Sequence, residues 1–146
     1  MKTFNIIEPT NESDFSDYYR IRYEILRKPW NQPEKSTKDD TESISVHLLV
    51  KDENGKAVAT GRMQFNSDEE AQIRSMAVID EYRGNGIGSL LIKRLEEIAV
   101  SRKLKRITLD SRENAVQFYI SNGYTIIEPS YLLFGIIRHF KMQKDL

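Results

Sequence analysis

The segment that most constrains this chain runs from Ala71 to Ala99. Ala71–Ile79 reads as a strand, Asp80-Glu81-Tyr82-Arg83-Gly84-Asn85-Gly86-Ile87-Gly88-Ser89 follows it, and Ile87, Leu90, Leu91, Leu95, Ile98 and Ala99 then recur at helical spacing. A strand, a glycine loop and a helix in that order place the unsatisfied N–H groups of a first helical turn beside a backbone that an anion can approach closely. A pyrophosphate fits such a junction, and Arg83 adds a charge-assisted donor at its mouth. The plainer reading of Gly84 and Gly86 is a tight turn without a ligand. Spacing counts against a dinucleotide loop and excludes a Walker A loop. Counting from Gly84 gives Gly86 and then Ser89 where a dinucleotide fingerprint needs its third glycine, and no Gly-x-x-x-x-Gly-Lys-Ser/Thr run exists in the chain.

The rest of the chain supplies strands on both sides of this unit. Thr3–Glu8 reads as a first strand, and Asn11 or Ser13 caps a helix carrying Phe15, Tyr18, Ile21, Tyr23, Ile25 and Leu26 that Pro29 ends. Lys28–Ser43 is polar, contains Pro29, Pro33 and Trp30, and is expected to be a mobile or substrate-contacting segment that Trp30 partly anchors. Ile44–Lys51 and Lys56–Phe65 read as strands, and Asn54-Gly55 between them is a strong hairpin signal. Strands at 106–110, 124–127 and 136–142 and a short helix at 114–121 complete the pattern. The expected architecture is one α+β domain over residues 1–146, with a mixed, mostly antiparallel β-sheet and flanking helices.

Composition removes several functions. At 146 residues a single core forms without staples. Lys plus Arg number 22 and Asp plus Glu also 22, so there is no global pull toward nucleic acid, and the expected partners exclude it. Zero cysteines exclude a Cys nucleophile and thiolate-rich metal sites, and His47 and His139 are too few for a multi-histidine zinc site, so no metal is expected. No apolar run is long enough to span a bilayer, so no membrane partner is expected. Met1–Pro9 holds too short an apolar stretch for a signal peptide, which makes the cytoplasm the expected location.

Arg83-x-x-Gly86-x-Gly88 resembles the coenzyme A pyrophosphate loop of the GCN5-related N-acetyltransferase (GNAT) superfamily, Gln/Arg-x-x-Gly-x-Gly/Ala. Met76-Ala77-Val78 is similar to the family's preceding strand, whose splayed backbone receives the pantetheine arm. Asn114-Ala115-Val116-Gln117-Phe118-Tyr119, leading to Gly123-Tyr124, is similar to its second signature. Ile137-Arg138-His139-Phe140-Lys141-Met142 resembles the closing strand of one subgroup, with Arg138 where proline is common. The resemblance implies the acyl-CoA N-acyltransferase fold and acetyl transfer from acetyl-CoA, a cosubstrate, to an amine of a small molecule or protein by direct attack in a ternary complex. It implies coenzyme contacts from Met76, Ala77, Val78, Arg83, Gly84, Asn85, Gly86, Ile87, Gly88, Ser89, Asn114 and Phe118. A monomer and a homodimer are both compatible with it.

Acyl transfer needs an oxyanion donor, an acid for the departing thiolate and an uncharged amine. The resemblance assigns the first role to the backbone N–H of Val78, with Ala77 as a possible helper, and the second to Tyr119. Read without it, Tyr119 is a packed aromatic beside Phe118, and Asn114 is a helix N-cap as much as a pantetheine contact. For the base, His139 is the first candidate: alternation puts it on the strand face of Ile137 and Lys141, which borders either an acceptor cleft or solvent. His47 and the Asp39, Asp40 and Glu42 cluster come next, the latter as solvated surface or as an attractor for a cationic amine. A coenzyme-binding sensor keeps the loop but needs no Tyr119, and an adaptor uses Trp30 and its loop instead.

Overall fold

The computed structural model describes residues 2–146. Strand β1 (Phe4–Ile7) leads into α1 (Glu12–Leu26), whose N-terminus is capped by Asn11: its Oδ1 accepts from Asp14 N–H at 2.8 Å. Strands β2 (Val46–Asp52) and β3 (Ala57–Phe65) form the expected hairpin. Gly55 N–H donates to Asp52 O at 3.0 Å and Gly55 takes φ +82°, so the turn is closed by a left-handed glycine. Then come β4 (Glu70–Val78), α2 (Ile87–Ser101), β5 (Arg106–Arg112), α3 (Val116–Ser121), β6 (Thr125–Leu133) and β7 (Ile137–Asp145).

The seven strands form one sheet in the order β1-β2-β3-β4-β5-β7-β6. Every neighbouring pair is antiparallel except β4 and β5, which α2 joins as a parallel crossover. This is the mixed, mostly antiparallel α+β layout expected from the sequence. One face of the sheet packs α1, where Tyr18 and Ile21 meet Leu49, Ala57 and Ala77. The other packs α2, where Ile87, Leu91, Ile92, Leu95 and Ala99 join Leu48, Val50, Val58 and Ile107. Leu48 and Leu49 thus serve opposite layers, as alternation along a central strand requires. Full burial of each such Leu or Ile contributes roughly 1.5–3 kcal/mol.

Three expectations are corrected. Residues 28–43, expected as a mobile or substrate-contacting segment rather than a packed element, are packed: three 3-10 turns, Lys28–Trp30, Glu34–Thr37 and Glu42–Ile44, fold this stretch back on α1, with Trp30 half-buried. Asn114 does not cap α3; it lies in the 3-10 turn Glu113–Ala115, and the capping position is Ala115, with no side-chain hydrogen bond. The strand expected at 124–127 extends to Leu133, an edge strand that tolerates Pro129 and two irregularities in its pairing with β7.

One feature of the sheet makes the site. β4 pairs with β5 only from Glu70 to Gln72, opposite Arg106 to Thr108, and beyond that the two strands part. Against β3, the register slips between Thr60 and Arg62, and Ser75 takes φ +55°, so a bulge bends β4 where it leaves β5.

Candidate active site

Backbone polarity in the gap follows from register. Ile79 N–H donates to Val58 O at 3.0 Å, on the β3 side. Alternation along the strand turns Ala77 N–H, opposite Thr60, to that same side, and turns Val78 N–H the other way, into the gap. Val78 alone of the two offers the gap a free donor.

The glycine loop lies at one end of this gap. Gly84 and Gly86 have φ +81° and +75°, and a side chain at either would meet nothing within 4 Å, so the loop surface stands open. Gly86 is the N-cap of α2, and the first helical bond runs from Leu90 N–H to Gly86 O at 3.1 Å. The N–H groups of Ile87, Gly88 and Ser89 therefore precede the helical ladder and are available to an anion. Gly88 also serves the packing of two helices. A Cβ there would sit 2.8 Å from the Phe118 ring, so glycine lets α3 pack on the first turn of α2. Asn85 ties the loop together through Nδ2 to Tyr82 O at 3.0 Å. Arg83 is mostly exposed and meets Asp80 at 3.2 Å.

A cleft of about 590 Å³ runs along these groups, lined by Met76, Ala77, Val78, Arg83, Gly84, Gly86, Ile87, Gly88, Ser89, Asn114, Phe118 and Tyr119. Of the residues expected to touch a coenzyme, only Asn85 lies outside that lining. The open glycine surface, the orphaned N–H groups and the volume suit a phosphorylated, elongated ligand.

A second, smaller cavity of about 160 Å³ adjoins it on the β5–β7 side. Tyr119, Met76, Leu26, Arg112 and Ala115 line both spaces. Tyr119 is only 8% exposed, yet its hydroxyl is not a sealed atom, since the one buried side-chain polar atom without a partner among the described residues is Thr37 Oγ1. Burial raises the Tyr119 phenol to about 12, so it is protonated throughout the physiological range.

His139 lines the smaller cavity and is 5% exposed, which rules out its reading as a surface imidazole. Its Nδ1 lies 3.0 Å from Ile137 O. A carbonyl only accepts, so Nδ1 carries the proton in the neutral ring and Nε2 keeps a lone pair. Burial first, then the charge of Arg112, lowers its pKa from the ordinary 6.5, against the opposing pull of Ile137 O and Asp110.

The other base candidates are occupied elsewhere. His47 Nδ1 accepts from Tyr18 Oη at 2.6 Å and Nε2 donates to Glu42 O at 2.7 Å, so both its nitrogens are used. Glu42 takes Arg22 at 2.8 and 2.9 Å, and Asp39 takes Arg62 at 2.8 and 2.9 Å. The Arg62 bonds hold the Asp39 carboxyl well below its usual range. Glu42 is also lowered, because Arg22 and Arg62 outweigh a burial that acts to raise it. These acids fasten the 28–44 segment to the sheet and belong to neither cavity lining; Asp40 is exposed and lines neither. Sequence reasoning did not single out Arg27, Arg74, Asp110 and Arg112, which line the smaller cavity. Only their convergence from α1's end, β4 and β5 reveals them.

The model of the acetyltransferase (GNAT) family matches residues 12–124. The chain belongs to the GNAT acetyltransferase family. Among its relatives, the uncharacterized N-acetyltransferase YjcF of Bacillus subtilis (strain 168) is 30% identical over 135 residues, which is 92% of this chain and 95% of that one. Solved structures of similar fold include a GNAT family acetyltransferase from Elizabethkingia anophelis with acetyl-CoA bound, at TM-score 0.75 and 15% identity over 98% of each chain. Another is the ribosomal-protein-S18-alanine N-acetyltransferase from Escherichia coli, at TM-score 0.78 and 21% identity over 98% of this chain and 94% of that one. Membership makes this GNAT protein an acetyl-CoA-dependent N-acyltransferase, in agreement with the sequence motifs. No helix among the described residues of this GNAT protein is long and apolar enough to cross a membrane.

Proposed function

We propose that the protein transfers an acetyl group from acetyl-CoA to the amine of an acceptor by direct attack, with coenzyme in the 590 Å³ cleft and acceptor in the 160 Å³ cavity. The observation that carries this reading is the position of Tyr119 in the wall common to both spaces, where a donor must stand to protonate a departing thiolate. Acetyl-CoA supplies the activated acyl group. The N–H groups at Ile87–Ser89, with Arg83, hold its pyrophosphate, and Asn114, Met76 and Phe118 flank the pantetheine arm. Val78 N–H stabilises the developing oxyanion, a donor worth about 10²–10³ in rate at comparable sites. Nε2 of His139 takes a proton from the incoming ammonium, directly or through water. With no cysteine in the chain, no cysteine-bound acyl intermediate is available and the amine attacks in a ternary complex.

The test follows free thiol after mixing the protein with acetyl-CoA and a panel of amines. Thiol release that requires an amine is the expected result. Tight binding of acetyl-CoA with no amine-dependent release would leave a sensor and overturn the enzymatic reading for this chain.

A further inference from the structure

The acceptor cavity has the wrong charge for a simple amine. Three guanidiniums line it, those of Arg27, Arg74 and Arg112, against a single carboxylate, Asp110. The whole chain carries equal numbers of acidic and basic residues, so this excess is local. Elsewhere the half-buried and buried arginines are matched: Arg22 to Glu42, Arg62 to Asp39, Arg106 to Glu70. Arg27 and Arg112 have no carboxylate partner among the described residues. Arg112 Nη2 donates to Leu26 O at 3.1 Å, and the Arg27 guanidinium lies 5.7 Å from the Phe134 ring centre. Arg74 reaches Asp39 only at 3.6 Å, an oxygen that Arg62 already holds at 2.8 Å.

Arg27 and Arg112 are partly withdrawn from water, whereas Arg74 is exposed, and the charges repel each other. Burial, then Arg22 and Arg74, lowers Arg27; burial, then Arg27, lowers Arg112. Guanidinium nevertheless stays ionised at neutral pH, so the repulsion persists until an anion enters. Carboxylates and phosphates are the groups whose paired oxygens match its planar fork. A polyamine meets one carboxylate, Asp110, against three guanidiniums on this wall.

We infer that the acceptor is a small amine carrying its own anion, a carboxylate or a phosphate, which Arg27, Arg74 and Arg112 bind while Asp110 attracts the ammonium toward His139. This rests on the acetyl-transfer reading of the same cavity. The three arginines are specificity-determining; Arg27 and Arg74 line only the smaller cavity, whereas Arg112 also borders the coenzyme cleft.

The experiment compares four acceptors of similar reach with acetyl-CoA at one pH: β-alanine, O-phosphoethanolamine, ethanolamine and 1,2-diaminoethane. Their binding to the protein–coenzyme A complex is measured by calorimetry alongside turnover. At least one anionic amine is expected to exceed ethanolamine in kcat/KM by about tenfold or more, the scale of one charge-assisted contact, with the diamine poorest. β-Alanine against O-phosphoethanolamine decides between carboxylate and phosphate. Arg27→Gln and Arg74→Gln should each raise KM for the favoured acceptor by about tenfold, with unchanged acetyl-CoA affinity and melting temperature. Equal use of ethanolamine, preference for the diamine, or no binding and no turnover of either anionic amine overturns the inference. So does faster acylation of ethanolamine from succinyl-CoA than from acetyl-CoA, which would assign the arginines to the acyl chain. Absence of acetyl-CoA binding is a different outcome and overturns the acetyl-transfer reading itself.

Discussion

The imidazole of His139 lies flat on the ring of Tyr131, with centroids 4.4 Å apart and planes 11° from parallel. Stacking sets the plane of the imidazole, and the Nδ1 contact to Ile137 O sets its rotation within that plane. An imidazole held this way in its neutral tautomer would need no reorganisation to accept a proton. Its charged neighbours are Arg112 and Asp110 on β5, and burial acts with Arg112 to disfavour the imidazolium.

The rate should therefore fall as pH drops through a pKa below 6.5 and stay level above it. The sign follows from the direction of the shift: a lowered pKa keeps His139 neutral, and competent as a base, further into acid. His139→Gln should lower the rate by about 10²–10⁴ and remove that acid limb from the pH–rate profile. A variant with the same limb as the wild type would take His139 out of proton transfer.

Tyr119→Phe removes one oxygen and keeps the edge-to-face packing against Phe118 and Tyr124. The hydroxyl has no hydrogen-bond partner to lose, so thermal stability and acetyl-CoA affinity should stay at wild-type values while kcat drops by about 10²–10⁴. Because the phenol is pushed up to about 12, wild-type activity should show no alkaline loss from this group between pH 7 and 10. Retention of kcat within a few-fold would reduce Tyr119 to a packing residue.

For the coenzyme loop, Arg83→Glu is a cleaner probe than Gly86→Val. At φ +75° a β-branched residue strains the free protein as well as the complex. Arg83 is solvent-exposed, and its pair with Asp80 is a surface ion pair of little consequence for stability. Acetyl-CoA affinity should fall about 10- to 100-fold, equivalent to a charge-assisted bond of about 1.5–3 kcal/mol, at constant melting temperature. Unchanged affinity would move the pyrophosphate away from this loop.

Glu42 should prove structural. Its carboxylate answers Arg22, which is 3% exposed, and Arg62, which is 1% exposed, and accepts from Tyr19 Oη at 3.0 Å. Glu42→Ala strands the buried Arg22 cation, leaves Arg62 with Asp39 alone, and should cost about 3–5 kcal/mol in chemical denaturation. Asp39 and Glu42 both have carboxyls held below their ordinary values of 3.8 and 4.5, so the unfolded chain binds their protons first. Their contribution is complete above about pH 5 and should be lost progressively as pH falls below the ordinary values toward the lowered ones, loosening residues 28–44 ahead of the sheet. A Glu42→Ala protein of wild-type stability would contradict this assignment.

Local structure was legible because local chemistry decides it. Asn11 caps α1 through its own side chain, Asn54-Gly55 supplies the left-handed residue its turn needs, and the spacing Ile87, Leu91, Leu95, Ala99 makes one buried stripe on α2. Arg83-x-x-Gly86-x-Gly88 likewise names its loop without any distant partner. Three things were decided only in the tertiary structure, because each depends on residues far apart in the chain. Asp39 and Glu42 look like solvated acids until Arg22 and Arg62 arrive from α1 and β3. His139 precedes His47 as a candidate only by its place on the last strand, until Tyr18 and a carbonyl occupy both nitrogens of His47 and the cavity receives His139. The charge of the smaller cavity exists in no segment, since Arg27, Arg74, Asp110 and Arg112 converge only where β4 parts from β5. Periodicity and turn chemistry act over a few residues and can be read in order, whereas desolvation and ion pairing depend on which distant groups the sheet brings together.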